Sequence, residues 1–382
     1  MIKSALSGEP LESPIYLSDS DFSVTSLSKI YSGVTKVYYD PKIGHLQTNE
    51  IEGINKYYDE EYKIFDESEE DDILYEVVNG IKIFRQQHQV DTFLSKVELT
   101  PGIRILDYGC AKGTVLKRLH QHRPDILPYL FDVSKMYVHL WEKFVPPGQY
   151  AFYTVKKEWS HLFDVVTSFF AFEHTPDPLN ELATIKELLK PSGLIYMIVP
   201  NVYKNIGDFI VADHVHHYSE VSLNYMFGKA GFEIMDIDIT SHFAAYIVIA
   251  KNSGIKTHFL ADPADLAEIK ENAHRTAEYW KALRAKINGF EQEIGDKRGA
   301  IYGAGVYGNF IASCLDNPER LVCIVDQNPL LHGKTIIGKP ILLPKELPSD
   351  IEVVYVGLNP LTSKSSMESV DWEGRKLVFF YL

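Results

Sequence analysis

The sequence predicts an α/β protein: a mainly parallel sheet with helices on both faces, followed by a second, smaller α/β unit. Short apolar runs alternate with amphipathic stretches from "GIRILDYG" (Gly102–Gly109) to "AAYIVIAK" (Ala244–Lys251), the pattern of strands joined by helical crossovers. Two apolar runs pass straight into glycine-bearing turns that open helices, "ILDYGCAKGTVL" (Ile105–Leu116) and "IYGAGVYGNF" (Ile301–Phe310). With 382 residues, 45% of them hydrophobic, the chain has core enough for two or three domains at roughly 150 residues each.

Residues 1–68 have poor periodicity. Their densest part, "INKYYDEEYKIF" (Ile54–Phe65), carries Tyr57, Tyr58 and Tyr62 and reads either as a surface segment packed by its aromatics or as a lid over a pocket. Residues 73–97 place apolar residues three and four apart and predict a helix despite Gly80. Strand, helix, strand, helix follow as "GIRILDYG", "TVLKRLHQH", "LPYLFDVS" and "MYVHLWEKF". "FDVVTSFFAF" and "LIYMIVPN" predict buried strands, with the helix "LNELATIKELL" between them, stopped by "KPSG". "SEVSLNYMFGKAG" is a helix bounded by Ser219 and Gly231. "FEIMDIDI" and "AAYIVIAK", with a short link between them, predict an antiparallel edge. Residues 262–296 are polar and helical in pattern, and a new strand–turn–helix begins after Arg298.

Composition excludes several classes. The formal net charge is −14 with no basic stripe, which argues against a nucleic-acid partner. The acidic run Asp66–Asp72 reads as solvated surface. Cys110, Cys314 and Cys323 form no C-x-x-C pair, so neither a cysteine zinc site nor a disulfide framework is expected. No signal-like N-terminus and no 18-residue apolar run is visible, so a cytoplasmic protein without a membrane partner is expected.

In an open parallel sheet, ligands sit beyond the carboxyl ends of the strands. Asp107, Gly109 and Gly113 occupy that edge in the first turn, and Asp132 ends the next strand, placed to accept ribose hydroxyls. These residues are followed by "FDVVTSFFAFEHTPDPLNEL", "LKPSGLIYMIVPN" and "DHVHHYSEVSLNYMFGKAGFE". Residues 103–250 thereby closely resemble the class I S-adenosylmethionine-dependent methyltransferases. The resemblance implies a seven-stranded sheet with one reversed strand, and S-adenosylmethionine as cofactor. It places Asp107, Gly109 and Gly113 around the methionine part of the cofactor, with Ala111 in place of the usual middle glycine, and Asp132 on the ribose. Ala171 and Phe172 would lie under the cofactor, His174 would face the substrate, and Trp159 would pack near the adenine.

With "YYDEEY" before that block, "DHVHHYS" after its fifth strand and "IYGAGVYGN…CIVDQNPLLHGKTIIGKPIL" at the end, the chain resembles the sugar C-methyltransferases, which act on nucleotide-linked keto-sugars. The domains implied are an irregular segment over 1–68 that has lost the family's four-cysteine zinc module, a methyltransferase domain over 69–251, a helical connector over 252–296 and a Rossmann-like domain over 297–382. Where that family has Tyr and Glu ahead of its catalytic His, this chain has Val211 and Asp213 ahead of His214. A carbon beside a ketone becomes nucleophilic only when a proton leaves, and His is the usual base. His214 held by Asp213 is the expected base, with His174 and Tyr62 as hydrogen-bond donors and Tyr58 and His217 on the substrate. Two alternatives are a metal site at His214, His216 and His217, and methylation at oxygen.

The second turn places Gly303, Gly305 and Gly308 in full G-x-G-x-x-G spacing, with Asp326 ending the next strand. It is expected to take the nucleotide end of a sugar substrate. The alternatives are an NAD-dependent oxidoreductase, a non-catalytic binding protein, and glycines present only for tight strand–helix packing. The sugar and the oligomeric state are not legible.

Overall fold

The structure is a computed structural model that describes residues 2–18, 22–53, 56–62, 74–78, 81–368, 370–372 and 374–382. The acidic run Asp66–Asp72 and Gly80 lie outside the described residues. Compactness separates two units. The first comprises Met1–Glu12, Asp40–Asn201 and Val215–Ile269, and the second Ser13–Tyr39, Val202–His214 and Lys270–Leu382.

The first unit is built on seven strands: β1 (Arg104–Tyr108), β2 (Leu127–Asp132), β3 (Tyr150–Phe152), β4 (Phe163–Phe169), β5 (Leu189–Pro200), β6 (Phe232–Asp238) and β7 (Ala245–Asn252). Their order across the sheet is β3-β2-β1-β4-β5-β7-β6. The first five run parallel, and β7 is antiparallel to both of its neighbours. β7 therefore lies inside the sheet, and the edge strand is β6. Burial explains the order. Ala245–Ala250 is a continuous buried run, whereas most of β6 is partly exposed, and only the first composition suits a strand covered on both faces.

The helices are α1 (Arg85–Lys96), α2 (Thr114–His122), α3 (Pro178–Leu188) and α4 (Glu220–Ala230). Ser219 caps α4 by accepting from the Ser222 amide, and Gly231 ends it at φ +88°. Asp177 caps α3 through the Asn180 amide. One core cluster is centred on Trp159, Phe163, Phe172, Met197 and Phe227, and another on Phe93, Leu130, Trp141 and Tyr196.

Two expectations about local structure fail. Leu74–Val78 and Ile81–Phe84 are not helical: they pair as antiparallel strands, and the helix begins only at Arg85. The β-branched and aromatic run fits a pleated surface as well as a helical stripe. The helix expected over Met136–Phe144 is reduced to Val138–Trp141, where the Trp141 indole is drawn into the core and donates to the Ala111 carbonyl at 2.7 Å.

The second unit contains β8 (Gly299–Tyr302), β9 (Leu321–Val325), β10 (Thr335–Ile336), β11 (Lys339–Leu342), β12 (Val353–Val356) and β13 (Val378–Tyr381), ordered β10-β11-β9-β8-β12-β13. All pairs except β10–β11 are parallel. Its longer helices are α5 (Pro263–Ile294), whose residues from Lys270 belong to this unit, and α6 (Val306–Cys314). This is the second, smaller Rossmann-like sheet the sequence predicts.

Candidate functional site

The first glycine turn leaves β1 at its carboxyl end. Gly109 sits at φ +79°, and a Cβ built on it would lie 2.6 Å from the Cβ of Ala171. Glycine is required there by conformation and by space. Gly113 is the N-cap of α2 at φ +70°. Ala111, where the resemblance expects glycine, has φ +45°. Its backbone is held at both ends: its amide donates to Asp132 Oδ2 at 2.7 Å and its carbonyl accepts from Trp141 Nε1. That clamp keeps an L-residue in a region costing about 1 kcal/mol.

Asp132 thus orders the turn itself. Its Oδ1 accepts from the Ser134 amide at 3.0 Å. Asp107 is buried at 3% exposure and accepts from Thr167 Oγ1 at 3.1 Å. Burial pushes its carboxyl up to about 7 against the Thr167 bond, and the Asp132 charge adds to the rise. Burial also lifts Asp132 to about 6, against bonds from the Ala111, Ser134 and Val133 amides. Two desolvated carboxyls at one strand edge suit a ligand that brings a cationic head and ribose hydroxyls, so these residues fit the methionine ammonium and ribose of S-adenosylmethionine.

Two expected cofactor contacts are corrected. Phe172 is 1% exposed and packs in the core, with its carbonyl accepting from Tyr218 Oη at 3.2 Å. Ala171, by contrast, faces Gly109. Trp159 is equally buried, edge-on to Tyr129 and Phe163, and so is core rather than an adenine contact. Val133 and Tyr153, 55% and 46% exposed beyond β2 and β3, are the apolar surface at that edge.

The tyrosine-rich segment packs onto the same unit. Tyr58 Oη lies 2.9 Å from His174 Nδ1, and the Tyr62 ring is 5.6 Å edge-on from the His174 ring. Tyr57, Tyr58 and Tyr62 pack on one another edge to face. Asp59, which sequence reasoning passed over, accepts from Tyr153 Oη at 3.2 Å and Ser134 Oγ at 3.3 Å. These contacts tie Tyr57–Glu61 to the residues just beyond β2 and β3, the ligand side of the sheet.

His216 and His217 fall in a short strand paired with Leu46 and Gln47. His217 is 1% exposed and lies 2.9 Å from Thr48 Oγ1, while His216 Nδ1 is 2.9 Å from His45 Nε2 in a stacked pair. The expected substrate role of His217 is therefore corrected to a packing one. Burial holds His216 down to about 3, and both desolvation and its histidine neighbours depress His45.

In the second unit, His214 Nδ1 is 2.5 Å from Asp208 Oδ1. The carboxylate on His214 is thus Asp208, in the turn Ile206–Ile210, and not the adjacent Asp213. Asp213 is fully buried and accepts from the Ser26 amide at 2.7 Å and from Ser26 Oγ at 2.6 Å, pinning the loop. An i, i+6 pair across a turn has no fixed sequence spacing, which is why Asp208 was missed.

The second glycine turn divides by role. A Cβ on Gly308 would lie 1.8 Å from the Gly303 carbonyl oxygen, and one on Gly303 would lie 2.4 Å from that of Gly357. Both are packing glycines. Gly305 has nothing within 4 Å of such a Cβ and faces open space. Asp326 repeats the geometry of Asp132, with Oδ2 accepting from the Ala304 amide and Oδ1 from the Asn328 amide, both at 2.8 Å.

Residues 84–237 match the sequence profile of a family described as "Methyltransferase domain", and the sheet containing them has the strand order expected of its class I members. The chain carries a class I S-adenosylmethionine-dependent methyltransferase domain. The C-methyltransferase NovU of Streptomyces niveus is 23% identical over 72% of this chain and 71% of its own length. A ubiquinone biosynthesis O-methyltransferase of Leptothrix cholodnii is 27% identical over 34% of this chain, a match spanning 59% of that protein's length. One from Xanthomonas campestris is 31% identical over 30% of this chain and 49% of its own. A crystal structure of a SAM-dependent methyltransferase from Aquifex aeolicus aligns at 21% identity and a TM-score of 0.36, over 44% of this chain and 90% of that one. No helix among the described residues is long and apolar enough to cross a membrane.

Proposed function

We propose that the protein C-methylates a nucleotide-activated keto-sugar, with His214 as the base. The observation that carries this reading is the Asp208–His214 pair at 2.5 Å. A carboxylate on Nδ1 holds the imidazole in one orientation and stabilises the cation formed when Nε2 takes a proton. The bound cofactor would supply an electrophilic methyl group, held by Asp107, Gly109, Ala111, Gly113, Asp132 and Ala171. His214 would remove the proton beside the ketone, and Tyr62 and His174 would donate to the developing enolate oxygen, with Tyr58 on the substrate. Gly305 and Asp326 would receive the diphosphate and ribose of the nucleotide. The reaction would run in the cytoplasm.

The extent of the relatives' matches also favours carbon. The C-methyltransferase relative aligns over 72% of the chain, far beyond the methyltransferase domain. The O-methyltransferase relatives align over about a third of it, and they favour oxygen as the second reading. Solvent-deuterium exchange at the α-carbon of a nucleotide keto-sugar separates the two, because exchange needs the base but not the methyl donor. The wild type should exchange, and His214→Ala should not while still binding S-adenosylmethionine. Exchange at the normal rate in that variant would place the base elsewhere, with His174 next.

A further inference from the structure

We propose that Tyr307, inside the second glycine turn, is a positioning residue for the Asp208–His214 pair. The catalytic relevance of this inference rests on the reading of His214 as base; its structural content does not. Tyr307 is 8% exposed. Its hydroxyl accepts from the Gly207 amide at 2.7 Å and donates to Asn205 Oδ1 at 2.8 Å. It therefore holds the residues on both sides of Ile206, and Gly207 directly precedes Asp208. The ring itself occupies the space of a side chain at position 207: a Cβ there would lie 2.7 Å from Tyr307 Cζ. Glycine at 207 is what lets the tyrosine approach the loop so closely.

Trp280 completes the grip. Its Nε1 donates to the Ile206 carbonyl at 2.9 Å, and its ring stacks on Tyr307 with centroids 5.9 Å apart and planes 22° apart. From these anchors the backbone runs to the histidine through three successive turn bonds. The Asp208 amide donates to the Asn205 carbonyl, the Val211 amide to that of Asp208, and the His214 amide to that of Val211, at 3.0, 3.1 and 3.3 Å. Both partners of the 2.5 Å pair are fixed by one short ladder whose far end is Tyr307.

The tyrosine falls between Gly305 and Gly308 in the G-x-G-x-x-G turn. A fingerprint read as nucleotide-binding thus carries, in one of its variable positions, the residue that orders the base. This also accounts for a buried phenol in a turn whose glycines alone would satisfy strand–helix packing.

The test needs no substrate. In the full-length chain, the hydrogen-bonded imidazole proton of His214 should give a far-downfield ¹H NMR signal, assigned by its loss in His214→Gln. Tyr307→Phe keeps the ring and removes both hydroxyl bonds; the signal should move upfield or vanish into solvent exchange while the thermal transition stays cooperative. Gly207→Ala, which pushes on the same contact from the loop side, should do the same. With a nucleotide keto-sugar, Tyr307→Phe should lower kcat by about tenfold to a hundredfold and leave KM unchanged. An unshifted signal in both variants would overturn the inference, as would the lack of any such signal in the wild type. Full turnover in His214→Gln would instead sink the base reading while leaving the NMR result standing.

Discussion

Gly109→Ala should damage both stability and cofactor binding. The residue sits at φ +79°, where an L side chain costs about 1–2 kcal/mol. The added methyl would lie 2.6 Å from Ala171 Cβ, about 1 Å inside an ordinary carbon–carbon contact. Relieving such an overlap by backbone movement costs about 1–3 kcal/mol. Reduced freedom of the unfolded chain returns about 0.4–1 kcal/mol, for a net loss of roughly 1–4.5 kcal/mol and a Tm drop of roughly 3–15 °C. Because the movement separates the first turn from Ala171, the two sides of the proposed cofactor cradle, S-adenosylmethionine affinity by calorimetry should fall more than about tenfold. Scanning calorimetry and titration of the purified chain read both quantities. A Tm within about 1 °C of wild type together with unchanged affinity would refute the cradle geometry.

Asp132→Ala should weaken S-adenosylmethionine about tenfold, or 1.4 kcal/mol, because it removes the proposed ribose acceptor and releases the Ala111 amide; wild-type affinity in a folded variant would contradict the assignment. Asp107 and Asp132 are raised to about 7 and about 6, and a cationic ligand prefers them ionised. Affinity should therefore fall as pH drops through that window, and a flat profile between pH 8 and 5.5 by calorimetry would exclude Asp107 as the ammonium partner. The buried pair His45–His216 is held neutral below the ordinary value of about 6.5. The unfolded chain binds the extra protons, so the pair's contribution to stability is present above about 6.5 and is lost as pH falls below that value, His216 releasing its share as pH approaches about 3. The Asp107 and Asp132 carboxyls, raised in the folded state, act in the opposite sense, so the quantity to measure is the difference in urea stability between wild type and His45→Gln. That difference should shrink on acidification, and a constant difference from pH 7 to 4.5 would refute it.

The sequence displayed the first unit well because its signals are local. β1 ends in an aspartate before a glycine turn, α4 begins at Ser219 and ends at Gly231, and Ala245–Ala250 is apolar throughout. Over Leu74–Val78 and Ile81–Phe84 the apolar spacing fits both periods, so periodicity alone does not separate a helix from the paired strands found there. Around the first turn, the strand-end placement of Asp107 and Asp132 and the need for glycine at 109 could be read from sequence, because strand and turn signals are local. Pairings closed by tertiary structure could not. Asp213 stands next to His214 in sequence, yet its carboxylate turns to Ser26 and Asp208 takes the histidine. His217 has the look of a loop histidine but enters a two-residue strand and is buried. Of the three glycines in the second turn, only the contacts of a Cβ reveal that two serve packing and one faces open space.

The central claim is methyl transfer to carbon. The direct measurement is incubation of the full-length chain with S-adenosylmethionine carrying a ¹³C methyl group and a panel of nucleotide-linked keto-sugars, followed by carbon NMR of the products. One new labelled methyl resonance is expected in the aliphatic C–CH₃ region, coupled to a ring carbon adjacent to the ketone. A methoxy resonance, or no labelled product from any keto-sugar by a chain shown to bind the cofactor, would contradict it.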